Sequence, residues 1–77
     1  MTTLTVNKST SAIEIWFDSN KLYVLLEDGR ELAVPIDWFP KLRDASDKQR
    51  NNWRFIGGGE GIHWKDLDED ILVQALL

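Results

Sequence analysis

The chain contains no cysteine, one histidine, one tyrosine and two prolines among 77 residues. Without cysteine there can be no disulfide and no thiolate metal site. A lone histidine gives a poor ligand set for a transition metal, and no cofactor is expected. No apolar run approaches the ~20 residues that a membrane-spanning helix needs. The opening Met1-Thr2-Thr3-Leu4 has neither the basic start nor the apolar stretch of a secretion signal. These absences predict a cytoplasmic protein with no membrane association.

What remains is the composition of a folded domain: 43% hydrophobic and 29% charged residues. Residues 1–77 are read as one domain with one modest core. Such a core leaves a net stability of roughly 3–5 kcal/mol, so a partner or homo-oligomerisation would help. The net charge of −4 is unevenly spread. Residues 41–54 hold five basic side chains (Lys41, Arg43, Lys48, Arg50 and Arg54) against two acidic ones, whereas residues 55–77 hold one against five. The basic stretch offers itself to an acidic partner or a nucleic acid. A pI near 4.7 opposes tight nonspecific phosphate binding, which depends on cation–phosphate contacts.

Ile13, Ile15 and Phe17 alternate in the strand manner, and Ser19-Asn20 is a plausible two-residue turn. That turn pairs Phe17 with Leu22, Ile15 with Val24 and Ile13 with Leu26, and sets Trp16 opposite Tyr23 on the reverse face. At Glu27-Asp28-Gly29-Arg30 a two-residue turn would send Leu32 and Val34 to the wrong face. A three-residue loop with left-handed Gly29 pairs Leu26 with Arg30, Val24 with Leu32 and Leu22 with Val34. The apolar pattern therefore favours the bulge, with Ile36 joining the same buried face and Pro35 ending the strand.

Further along, Asp37 is placed to cap a helix starting Trp38-Phe39-Pro40, with Phe39 and Leu42 inward. Ser46-Asp47-Lys48-Gln49 is a capping-box pattern and predicts a helical turn over about 47–52. Trp53-Arg54-Phe55-Ile56 and Gly61-Ile62-His63-Trp64 read as strands joined through glycines. Asp66 and Glu69 suggest a cap for a last helix, in which Leu67, Ile71 and Ala75, and Leu72 and Leu76, follow helical spacing. The expected fold is α+β: a small antiparallel sheet of four or more strands, beginning as a meander, with two or three short helices on one face.

The most distinctive stretch is Gly57-Gly58-Gly59-Glu60-Gly61-Ile62-His63-Trp64. It fails as a phosphate loop because no Gly-Lys-Ser/Thr ending follows, and as a dinucleotide fingerprint because position 62 is Ile62. Asp66, Asp68 and Asp70 imitate the start of a calcium loop, but Ile71 replaces the turning glycine and Leu77 the bidentate glutamate. The glycines are therefore read as a bend that needs positive backbone angles. His63 is read as a structural residue holding backbone or carboxylate groups, since no nucleophile has an evident partner. Trp38, Trp53 and Trp64 suit core or boundary positions. Trp16, with Tyr23 and Leu25, falls on the face away from the core. There it is either covered by segment 4–6 (Leu4 and Val6 at its ends) or exposed as an anchor.

With Asp28-Gly29-Arg30, Val34-Pro35, Trp38-Phe39-Pro40-Lys41-Leu42, Asn52-Trp53, the Gly57-to-Trp64 stretch and Asp66-Leu67-Asp68-Glu69-Asp70-Ile71 in view, the chain resembles the bacterial family known as domain of unknown function 2442. The likeness runs from about Val6 to Leu77. It implies a small α+β protein with a protein partner and no cofactor. Some members are encoded beside another short protein, an arrangement suggestive of toxin–antitoxin pairs. Lys65 stands where members often have proline, and Leu72 where they often have a capping serine.

The function expected is a noncatalytic protein-interaction module, the antitoxin-like member of a two-protein unit, with another small protein encoded nearby as partner. Its candidate contact residues are Trp16, Tyr23, Leu25, Gly59, Glu60, His63 and Trp64. The alternative is a nucleic-acid-binding regulator that uses Lys41, Arg43, Lys48, Arg50 and Arg54.

Overall fold

A computed structural model describes residues 9–77. Two three-stranded antiparallel meanders share one core, with strand orders β1-β2-β3 and β4-β5-β6. The first comprises β1 (Ala12–Phe17), β2 (Lys21–Leu26) and β3 (Glu31–Pro35). The second comprises β4 (Trp53–Ile56), β5 (Gly61–Trp64) and β6 (Glu69–Leu72). Between them lie a 3-10 turn (Ile36–Trp38) and two short helices, α1 (Pro40–Arg43) and α2 (Asp47–Arg50). The α+β class is as expected, but the strands form two sheets and not one sheet of four or more.

Most of the first meander follows its sequence pattern. Phe17 pairs with Leu22, Trp16 with Tyr23 and Ile15 with Val24. The second hairpin has the anticipated three-residue loop: Leu26 N donates to Arg30 O at 2.8 Å, and Gly29 has φ 95°. Val24 then meets Leu32, and Leu22 meets Val34. Residue 13 is the exception. A bulge between Ala12 and Glu14 pairs Ala12 with Leu26, which buries Ala12 and turns Ile13 outward at 54% exposure. At the bulge β1 meets the turn between β4 and β5, where Gly59 O accepts a hydrogen bond from Ala12 N at 2.8 Å. Strand alternation within β1 could not register that contact.

Two helix expectations need correction. Asp37 caps nothing: it lies within the 3-10 turn, and α1 begins after Phe39 with no side-chain cap bond. The last helix does not form. Residues 69–72 pair with β5 as a strand, Ile62 opposite Ile71, followed by a second 3-10 turn at Val73–Leu76. Asp68 sits at φ 49°, which ends any helix started at Asp66, and Ile71 and Val73 are buried while Leu72 between them is exposed. Alternation with period two thus prevailed over the four-residue spacing, because strand pairing also satisfies the backbone groups of β5. The capping box forms as read, with Ser46 Oγ accepting from Gln49 N at 3.1 Å and Ser46 N donating to Gln49 Oε1 at 3.0 Å.

Both sheets and the linking helix fill the core. Leu22, Val24 and Leu26 from the first sheet meet Ile62, Trp64 and Ile71 from the second, with Leu42 of α1 and Val73 inserted. Phe17 and Trp64 meet edge to face across the sheets, their ring centroids 6.4 Å apart. Trp64 is fully buried, and its indole N–H donates to Arg50 O at 2.9 Å, which satisfies the one polar atom that burial would otherwise strand.

Candidate functional site

The outward side of the first sheet carries the most developed aromatic feature. Trp16 and Tyr23, directly opposed on β1 and β2, stack with centroids 5.5 Å apart and planes 5° from parallel. Tyr23 Oη donates to Asp18 Oδ2 at 2.5 Å, while Asp18 Oδ1 accepts from Asn20 N and Lys21 N at 2.7 Å each. The turn after β1 therefore fixes the carboxylate, the carboxylate fixes the phenol, and the phenol supports the indole. The same hydrogen bond lowers the Asp18 pKa, assisted by the Asn20 amide, and raises that of Tyr23 above its ordinary 10.0. Trp16 remains 37% exposed, and Leu25, the next outward residue on β2, is half-buried. Trp16 also borders an open cleft of about 530 Å³ running from Asp18 to Asp47 on α2. Coverage of Trp16 by segment 4–6 falls outside the described residues.

The candidates in the glycine stretch separate. Glu60 is exposed and His63 half-buried, while Trp64 is core and Gly59 is enclosed. Gly57, Gly58 and Gly59 all have positive φ, as the bend reading requires. At Gly59 a Cβ would lie 2.3 Å from Ala12 O, so the position joins the two sheets and presents no side for a partner. Trp64 likewise has no surface to offer. His63 Nδ1 pairs with Asp70 Oδ1 on the neighbouring strand, which fixes the imidazole to a carboxylate as anticipated for a structural histidine.

The basic segment does not assemble into one patch. Arg50 donates to Leu42 O at 2.8 Å and to Arg43 O at 2.7 Å, so its guanidinium caps the end of α1. Arg43 pairs with Asp44 at 3.0 Å, and Lys41 reaches Asp68 O at 3.3 Å. Lys48 is exposed on α2, and Arg54 lies on β4 opposite His63. Three of the five are thus tied to their own chain, which weakens the case for a phosphate-tracking surface.

Besides Ile13, three exposed apolar residues escaped the sequence reading. Trp38 is 61% and Leu72 67% exposed, and Ile56 accompanies Leu72 on the outward face of the second sheet. Trp38 and Leu72 border an open, largely apolar groove of about 410 Å³ floored by Phe39 and Ile71. Helical spacing had assigned Leu72 to a helix with Leu76, which hid it. Leu72 occupies the position before the last 3-10 turn, where no side-chain cap bond forms, consistent with the loss of the serine often found there. Among the described residues, no group of three His, Asp or Glu side chains is arranged to hold a metal ion, and no helix is long and apolar enough to cross a membrane.

The profile of the family described as "Protein of unknown function (DUF2442)" matches residues 12–77. The chain belongs to this family. A crystal structure of a protein of unknown function from Rhodospirillum rubrum ATCC 11170 is similar, with 34% sequence identity and a TM-score of 0.73. The match covers 86% of this chain and 82% of that one. The comparison with curated proteins yields no match. The family match includes the glycine bend and all six strands, so the features holding the two meanders together lie within it.

Proposed function

We propose that this chain is a noncatalytic protein-interaction module that binds its partner through the outward face of β1 and β2. The observation that carries this reading is the Trp16–Tyr23 stack, held from beneath by Asp18 and left partly open to solvent. Large aromatic side chains held in one orientation lose little entropy on association, which suits them to anchor an interface. Leu25 extends the same face, and Glu60, in the turn before β5, and His63, on β5, are further contact positions.

The finer proposal is that the partner is another small protein encoded nearby and that this chain is the antitoxin-like member of the pair. It is supported by small size, acidity and membership of a family in which some genes stand beside another short reading frame. The test is co-expression of the tagged chain with the neighbouring reading frame, followed by purification and size-exclusion chromatography. The partner is expected to co-purify. Trp16→Ala with Tyr23→Ala should weaken the complex by at least ~30-fold, the scale of a hot-spot truncation, while circular dichroism still shows a folded chain. Absence of a partner across several such pairs, or binding unaffected by the double substitution, would overturn the proposal.

A further inference from the structure

The outward face of the second sheet holds a polar group of which the proposed interaction surface uses His63 alone. Strand parity creates it. Trp53, Phe55, Ile62 and Trp64 turn toward the core, so Arg54 and His63 face outward in directly opposed positions. Extending the alternation by one residue beyond each strand brings Asn52 beside Arg54 and Lys65 beside His63. These four and Trp53 line an open cleft of about 390 Å³, within the range of roughly 300–1,000 Å³ typical of small-ligand pockets.

The distribution of charge is informative. Two carboxylates bond to residues that line the cleft, and neither is engaged by the cations. Asn52 Nδ2 donates to Asp66 Oδ2 at 2.9 Å, and Asp70 is taken by His63. Arg54 and Lys65 make no side-chain hydrogen bond or ion pair among the described residues, whereas Arg30 is paired with Asp28, Arg43 with Asp44, and Arg50 with backbone carbonyls. Two cations thus line one cleft with no bonded acid among the described residues.

We propose that this cleft binds a small-molecule oxyanion, a carboxylate or phosphate group, between the Arg54 guanidinium and the Lys65 ammonium. The arginine fork suits two oxygens of such a group, and lysine adds a point charge. A polymeric phosphate backbone suits the cleft less well, because its neighbouring charges would meet Asp66 and Asp70.

The test is an NMR titration of the isotopically labelled full chain with acetate, benzoate and inorganic phosphate, against chloride at matched ionic strength. Saturable shifts are expected at the Arg54, His63 and Lys65 amides, with a dissociation constant on the order of 1 mM. Saturation by carboxylates alone, or by phosphate alone, supports the site and assigns its ligand class. Arg54→Gln and Lys65→Gln should each weaken binding roughly tenfold, as expected for one lost charge-assisted contact. Lys48→Gln, outside the cleft, should leave it unchanged. The dispersion of the unligated spectra establishes that each variant is folded. Shifts that do not saturate, that match those from chloride, or that persist in the Arg54→Gln/Lys65→Gln double variant would overturn the proposal.

Discussion

Gly59→Ala is expected to be the most damaging single-methyl change in the protein. Gly59 has φ +101°, and a Cβ there would fall 2.3 Å from Ala12 O and 2.9 Å from Ala12 N. Both obstacles are backbone atoms, so no rotamer change relieves them. Holding alanine at that angle costs about 1–3 kcal/mol, and displacing β1 enough to admit the methyl adds about 1–3 kcal/mol. Loss of the Ala12–Gly59 backbone hydrogen bond contributes about 1 kcal/mol more. The combined ~3–7 kcal/mol compares with the roughly 3–5 kcal/mol of net stability that a core of this size leaves. Gly58→Ala provides the control, because Gly58 has φ +70° with nothing within 4 Å of the added Cβ. It should cost only the conformational ~1–2 kcal/mol. Urea and thermal unfolding followed by tryptophan fluorescence and far-ultraviolet circular dichroism would separate the two. At ~4–8 °C per kcal/mol, Gly59→Ala should melt at least ~4 °C below Gly58→Ala. Midpoints within ~3 °C of each other would refute the claim that close approach of the two sheets fixes this glycine.

Three further outcomes are expected. Because Tyr23 is the sole tyrosine, its ionisation can be followed by absorbance; it should occur above 10.0 and move back toward that value in Asp18→Asn, with stability falling as the pH rises beyond 10. Asp28 accepts from Ser9 N and Arg30 N at 2.9 and 3.1 Å, which lowers its pKa below 3.8. Its contribution should be complete above about pH 3.8 and lost on acidification below it, so Asp28→Asn should show a flatter fall in acid unfolding curves. Ile15→Ala should cost about 2–5 kcal/mol, whereas Ile13→Ala should stay within about 0.5 kcal/mol in the same urea titration because the bulge turns Ile13 to solvent.

The first meander was largely readable from sequence because its information is local. The apolar parity around Asp28-Gly29-Arg30 allowed one loop length, and the Ser46–Gln49 pattern allowed one cap. Ile71 and Leu72 were ambiguous for the opposite reason. Their spacing satisfies a helix and a strand equally, and the choice was made by the available partner strand β5. At the candidate site, Trp16 and Tyr23 could be placed opposite each other by register alone. Their near-parallel stack and the Asp18 hydrogen bond beneath it depend on side-chain orientations that register does not specify. The cleft of Arg54 and Lys65 was obscured because Arg54 was read with the basic run 41–54 and Lys65 with the acidic stretch after it, and position along the chain conceals that strand pairing puts them on one face.

By itself the sequence determined the α+β class, the strand pairing from Phe17 to Val34, the capping box and the need for glycine at the 57–59 bend. These follow from alternation, turn chemistry and backbone angle, which act over a few residues. Only the tertiary structure decided that the strands divide into two meanders, that Ala12 and not Ile13 enters the core, and that residues 69–72 form a strand. Each of these is settled by contact between segments distant in the chain. Gly59 belongs to both groups. Its positive φ is a local requirement of the bend, but its lack of a side chain is required by Ala12, 47 residues earlier in the chain and in the other sheet.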